Sequence, residues 1–276
     1  MVIGIHFTPI GRTYEAILLD NGEVDDWKLT EDPQVMANWC RDSGATVVAV
    51  DGPAQWREEG GPLRRADQEL LDAGLTHLST PTEEEVNLLP FSNRMRAMPP
   101  LYAALKRTFA AYTGKMVRRR FMVETRSHPA IGILNGFPLE TTGDYRIRHE
   151  ILARAKIPVR AVGPCMDAIW AALSAEALVQ RRATVVGDRA GGFVVLPALP
   201  LPGKPLRDSD PRPKRGWPCS CCYGNLWVCE DHPDMPFRIS CPRCGAGVGM
   251  QCHCNPFGQL QPDMVIVPIG NRHSRN

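Results

Sequence analysis

Three carboxylates in this chain stand where chemistry is usually done. Asp51 follows Thr46-Val47-Val48-Ala49-Val50, a run that reads as a strand buried on both faces, and precedes the chain-breakers Gly52 and Pro53. Glu124 lies near the end of a second such run, Arg120 to Thr125, and Asp167 falls in the first turn of a helix. Open α/β sheets hold their ligands at the carboxyl ends of strands. Acids gathered there repel one another unless a hard cation joins them, so the set predicts a site for Mg²⁺ or Mn²⁺. Two such ions about 4 Å apart activate a water and stabilise the leaving oxygen in phosphodiester hydrolysis. Each acid also has a plainer use, Asp51 in a turn and Asp167 against the helix dipole.

The cysteines carry a second chemistry. Of ten, Cys40 and Cys165 stand alone, and the other eight fall between Cys219 and Cys254. Cys241-Pro242-Arg243-Cys244-Gly245 is a knuckle of two thiolates, Cys229 and His232 form a second chelating pair, and Cys252 and Cys254 a third. With Cys219, Cys221 and Cys222 these predict one or two structural Zn²⁺ ions, because tetrahedral zinc takes four soft or borderline donors. Without metal, a segment of about 40 residues has too little core to order. Every coordination position is filled by protein, so the module is expected to stabilise or to dock, gripping nucleic acid or a protein partner.

Positioning the acids falls to the elements before the cysteines. Val2 to Phe7, Thr13 to Leu19 and Val24 to Lys28 predict an antiparallel meander, with Asp20-Asn21-Gly22-Glu23 as a hairpin turn. Asp32-Pro33 opens a helix, with Val35, Met36, Trp39 and Cys40 at helical spacing, before the Thr46 to Val50 strand. Further helices are expected from Arg64 to Leu71, from Pro99 to Tyr112, from Asp144 to Ala155 and from Pro164, the last with a stripe of Met166, Ile169, Trp170, Leu173 and Ala177. Gly192 to Pro197 is a final strand. The reading is an α/β domain over 1–197, a Pro-rich linker over 198–218 and a Cys-rich zinc module and tail over 219–276.

The whole chain of 276 residues carries a net charge of only +2, which advertises no strongly charged partner. Local basic runs, such as Lys115 to Arg120, read first as solvated faces. No apolar stretch of about 18 residues and no basic-then-apolar leader is present, so a cytoplasmic protein without a membrane partner is expected.

The β-β-β-α-β order is that of a ribonuclease-H-like mixed sheet flanked by helices. The first two thirds of the chain resemble the predicted-nuclease family of such proteins known as domain of unknown function 429. The likeness rests on Ile3-Gly4-Ile5, Val50-Asp51-Gly52-Pro53, Arg64-Arg65-Ala66-Asp67 with Leu70, Glu124 with His128-Pro129-Ala130, Asp167-Ala168 with Ala171-Ala172, and Gly187-Asp188 with Gly191-Gly192. That resemblance implies a metal-dependent nuclease in which Asp51, Glu124 and Asp167 hold the ions and Arg64, Arg65 and His128 line the cleft; Asp67 joins the substrate-binding candidates. One departure matters. Such proteins carry an aspartate at the end of the first strand, where this chain has His6. Imidazole binds transition metals and is a poor substitute for a carboxylate toward Mg²⁺. His6 therefore implies either a site shifted toward Mn²⁺ or Zn²⁺, with His6 and His128 assisting, or a degenerate site in a non-catalytic nucleic-acid-binding or adaptor protein.

Overall fold

The computed structural model describes residues 1–8, 12–75, 79–86, 92–115, 120–136, 145–202, 227–229 and 249–251, the side chains of 92, 145, 146, 227–229 and 249–251 excepted. The chain forms two compact units, Met1–Asp210 and Pro211–Asn276.

The first unit opens with β1 (Val2–Thr8), β2 (Thr13–Asp20) and β3 (Glu23–Thr30), an antiparallel meander. Asn21 and Gly22 both take positive φ, 51° and 84°, as a two-residue hairpin turn requires. Helix α1 (Pro33–Asp42) starts where Asp32 accepts from the Gln34 and Val35 amides, and it returns the chain to β4 (Val47–Asp51), parallel to β1. There follow α2 (Arg65–Asp72), α3 (Glu83–Val86), α4 (Ser92–Leu105), β5 (Ala110–Ala111), β6 (Phe121–Thr125), α5 (Ser127–Asn135), α6 (Tyr145–Arg154), α7 (Val159–Val162), α8 (Ala168–Val179), β7 (Ala183–Asp188) and β8 (Gly192–Pro197). The result is a mixed α/β sheet ordered β3-β2-β1-β4-β6-β8-β7, with the short β5 also beside β6.

Alternation along the strands divides the core. Val2, Ile17, Leu19, Val47, Ala49, Phe121 and Val123 face α5, α6 and α8, while Ile3, Ile5, Leu18, Val48, Val50 and Met122 face α1 and α4. Helix α8 is buried nearly all round rather than along one stripe, with Trp170 fully enclosed, and its small residues Ala168 and Ala172 let it lie against β1. Gly4 makes that approach feasible. A Cβ there would stand 2.1 Å from the Ala172 amide nitrogen and 2.3 Å from the Ala168 carbonyl oxygen.

Several elements differ from expectation. The helix expected from Pro99 begins seven residues earlier, at Ser92, and runs through Pro99 and Pro100 to Leu105, after which Ala110 and Ala111 join the sheet. Prolines favour a first helical turn, but Met95 and Met98 bury on this helix and offset the missing amide donors. The last helix starts at Ala168 rather than Pro164. Helix α5 and the edge strand β7 were not expected. Strand β7 has no fully buried residue and little apolar alternation to betray it.

In the second unit β9 (Trp227–Cys229) and β10 (Gly249–Gln251) pair antiparallel, with Cys229 opposite Gly249. Of the expected zinc ligands, Cys219, Cys221, Cys222, His232, Cys241, Cys244, Cys252 and Cys254 lie outside the described residues, and Cys229 is described in its backbone only. Of the 198–218 linker, only 198–202 are described. Among the described residues no helix is long and apolar enough to cross a membrane, and Cys40 and Cys165 are buried free thiols.

Candidate functional site

The sheet brings His6, Asp51 and Asp167 together on its α8 face. His6 follows Gly4 by two residues on β1, so its side chain shares the face on which Ala168 and Ala172 close over Gly4. Asp51 shares that face as the last residue of β4, two positions beyond Ala49. Asp167 arrives from above at the start of α8. Its side chain makes no capping bond to that helix and turns instead to its neighbours. A role in capping α8 is therefore not what places it.

His6 lies between the two acids. Its Nδ1 is 2.9 Å from Asp51 Oδ2 and its Nε2 is 4.0 Å from Asp167 Oδ2. Asp51 is 1% exposed. It accepts from Arg94 Nη2 at 2.6 Å and, through Oδ1, from the Ser127 amide at 3.1 Å, the first turn of α5. Burial alone would push its carboxyl up, but Arg94, His6 and the Ser127 amide outweigh it and hold Asp51 well below the ordinary carboxylate range. The ionised Asp51 makes Nδ1 of His6 the donor, which fixes the ring's orientation. Burial likewise pushes Asp167 up, and Arg148, which donates to Oδ1, His6 and Arg94 pull it below its usual value.

Glu15 is a fourth member that the sequence reading missed. It pairs with His6 across β1 and β2, on the same face as Ile17, and accepts from the Thr8 hydroxyl. Burial pushes its carboxyl up from 4.5 to about 7; Asp167 adds to the rise, while His6, Thr8 and Arg148 oppose it. Between those values the folded chain keeps a proton that the unfolded chain has released, so Glu15 makes stability fall as pH rises from 4.5 to about 7. Asp51 and Asp167 act in the opposite sense: their contribution is present above the ordinary value of 3.8 and is lost as pH falls through their depressed folded values. Glu15→Gln is expected to remove the first slope and leave the acid limb. After solvent screening the gain at pH 8 is on the order of 2 kcal/mol, about 5 °C in Tm. Melting curves from pH 4 to pH 8 check it, and an unchanged profile would count against the assignment.

Glu124 belongs to a different network. In the β4–β6 register Glu124 pairs with Val50 and Asp51 with Thr125, so the pleat turns Glu124 to the opposite face from Asp51. There it accepts from Arg64 through both oxygens, at 2.6 and 3.2 Å, and from the Ala54 amide at 2.9 Å, and it forms an ion pair with Arg126 at 2.7 Å. Asp67, fully buried, accepts from Arg64 Nε at 3.3 Å and from the Thr80 amide at 3.1 Å. Burial alone would lower the Arg64 pKa, yet Glu124 and Asp67 raise it above its ordinary value. Arg64 and Asp67, expected to meet substrate, are thus interior groups, Arg64 bridging Asp67 to Glu124. Arg65 is exposed and pairs with Glu69 at 2.7 Å, a solvated helix pair. His128 sits half-buried in the first turn of α5, next to Ser127.

As arranged, these donors do not fit the expected Mg²⁺ or Mn²⁺ centre of Asp51, Glu124 and Asp167. Both Asp51 oxygens are occupied, Asp167 gives one to Arg148, and Glu124 is saturated on the other face. Among the described residues no group of three or more His, Cys, Asp or Glu is placed to hold a metal ion. Arg94 and Arg148 supply the counter-charge that a divalent cation would have brought.

The fold and site together define a mixed α/β protein with a histidine held among three acids at the carboxyl edge of its sheet. No family model, no curated protein and no solved structure matches the chain.

Proposed function

We propose that the chain is a hydrolase of phosphodiester bonds in nucleic acid, with a ribonuclease-H-like first unit. The observation that carries this reading is the meeting of His6, Asp51 and Asp167, from three separate elements, on one face at the carboxyl ends of β1 and β4. The β3-β2-β1-β4-β6 order, antiparallel then parallel, supports the fold assignment, as does the resemblance carried by the motifs around Asp51 and Asp167. In this reading His6, oriented by Asp51, and Glu15, titrating near neutrality, exchange the protons of the attacking water and the leaving oxygen. Arg94, whose side chain is partly exposed beside Asp51, is the cation best placed to meet phosphate.

A test is incubation of the full chain with single-strand, duplex, hybrid and branched nucleic acids, in Mn²⁺, in Mg²⁺ and in EDTA, beside Asp51→Asn. Cleavage that Asp51→Asn abolishes supports the hydrolase; cleavage that survives the substitution unchanged comes from elsewhere and removes the assignment. Cleavage restricted to the Mn²⁺ or Mg²⁺ arms would overturn the cation-free roles given to His6 and Glu15. The second reading, a non-catalytic nucleic-acid-binding or adaptor protein, is favoured by the guanidinium partner that Asp51, Asp167 and Glu124 each already have. It predicts binding of the panel with no cleavage in any arm.

The second unit is proposed to be a zinc module held by Cys219, Cys221, Cys222, Cys229, His232, Cys241, Cys244, Cys252 and Cys254. A two-stranded sheet such as β9–β10 is marginal in water by itself and needs a staple. Elemental analysis of chain purified without chelators is expected to find one or two zinc ions per chain. Less than one would contradict the proposal.

A further inference from the structure

A cavity of about 520 Å³ opens beside β6, away from the His6 group. It lies where the sheet is interrupted. The outer edge of β6 pairs with β5 through Phe121 and Met122 and with β8 only at Glu124, and the cavity fills the gap between those partners. Ligands of α/β sheets collect at such changes of strand partner. Two aromatic rings form one wall. Tyr112 and Phe193 meet edge to face at 5.9 Å, and Phe121 stacks on Tyr112 at 5.6 Å, which fixes that ring. Lys106, just past α4, and Arg189, in the turn between β7 and β8, bring positive charge to the lining, and no carboxylate among the described residues pairs with either. Gln55 adds an amide whose nitrogen donates to the Ala190 carbonyl at 2.7 Å. Glu124 also lines the cavity, but Arg64 and Arg126 neutralise it, so it does not repel an anion.

From this lining we infer that the cavity binds a nucleotide, its base against Tyr112 and Phe193 and its phosphate at Lys106 and Arg189. An aromatic wall with two cations in the same lining, neither paired with a carboxylate among the described residues, is the combination that base stacking and phosphate contact require. The site is separate from the His6 group and stands whether or not that group hydrolyses anything. The nucleotide is either free or one unit of a strand.

Calorimetric titration of the full chain with AMP, GMP, CMP and UMP, with adenosine and inorganic phosphate, and with five-nucleotide oligomers tests it. One mononucleotide is expected to saturate a single site, with adenosine and phosphate each at least about tenfold weaker, and with Lys106→Gln and Phe193→Ala each weakening it about tenfold. Lys106 is exposed, so Lys106→Gln keeps the test free of folding effects. Binding of the oligomers alone, weakened by the same two variants, assigns the pocket to a base within a strand and also supports the inference. No saturable binding of mononucleotide or oligomer, or binding that both variants leave unchanged, overturns it. Asp51→Asn is expected to leave nucleotide binding intact, so loss of cleavage and loss of this site read out separately.

Discussion

Arg64→Met is expected to lower the stability of the first unit by about 3–5 kcal/mol, the cost of leaving a buried charge without its partner. Arg64 is 6% exposed, and its guanidinium holds both oxygens of Glu124 and one of Asp67. Methionine matches the aliphatic stem and removes only the cation. Among the described residues Arg126 is the guanidinium that would remain beside Glu124, at 2.7 Å, and it stands 3.9 Å from Asp67. The double variant Arg64→Met with Glu124→Gln is expected to recover part of the loss, because the buried carboxylate that Arg64 held most closely goes with it. Denaturant unfolding of the wild type, the two single variants and the double variant gives the coupling directly. A loss under about 1 kcal/mol for Arg64→Met would mean that the network is solvated in a way its burial does not suggest.

Gly4→Ala is the second large effect, and it connects packing to the site. The new methyl would lie 2.1 Å from a backbone nitrogen and 2.3 Å from a backbone oxygen of α8, atoms that cannot swing aside as a side chain can. Overpacking of this kind costs about 1–3 kcal/mol and sometimes more. Relief requires α8 to retreat from β1, and Asp167 retreats with it from His6. A displacement of about 1 Å at a reacting centre can cost roughly a hundredfold in rate. The variant is therefore expected to lose about a hundredfold in any cleavage activity even where it remains folded. Circular dichroism and a rate measured on the same sample separate the two effects. Full activity in a folded Gly4→Ala chain would show that the distance between β1 and α8 does not set the site.

The parts of this molecule that were legible in the sequence are those written into local pattern. The meander follows from three short apolar runs and an Asn21-Gly22 turn, and β4 from an unbroken β-branched run. Asp51 and Asp167 could be placed near one another because strand ends and helix starts are readable. The face each acid would choose was harder. Glu124 and Asp51 both close strands, yet a single step of register against β4 turns them to opposite sides of the sheet. Glu15 was legible in principle. Pairing Thr8 with Thr13 sets it opposite His6, a charged residue inside a strand whose middle is apolar. Arg94 and Arg148 gave no such signal. Their contacts with Asp51 and Asp167 join residues 43 and 19 positions apart, through helices whose docking the sequence does not state. The prolines of α4 misled because their usual place is a helix start, while burial of Met95 and Met98 decided the matter.

The most direct test is the single-turnover rate of His6→Asn against wild type on whichever nucleic acid the wild type cleaves. Asparagine keeps a donor toward Asp51 and removes the imidazole, so the proton-transferring group is lost with little change in charge or packing. A fall of about a hundredfold to ten-thousandfold, with melting temperature nearly unchanged, is the expected result. Wild-type chain that cleaves no member of the panel in any metal condition, or His6→Asn that cleaves at the wild-type rate, would contradict the claim that His6, held between Asp51 and Asp167, is the centre of a hydrolytic site.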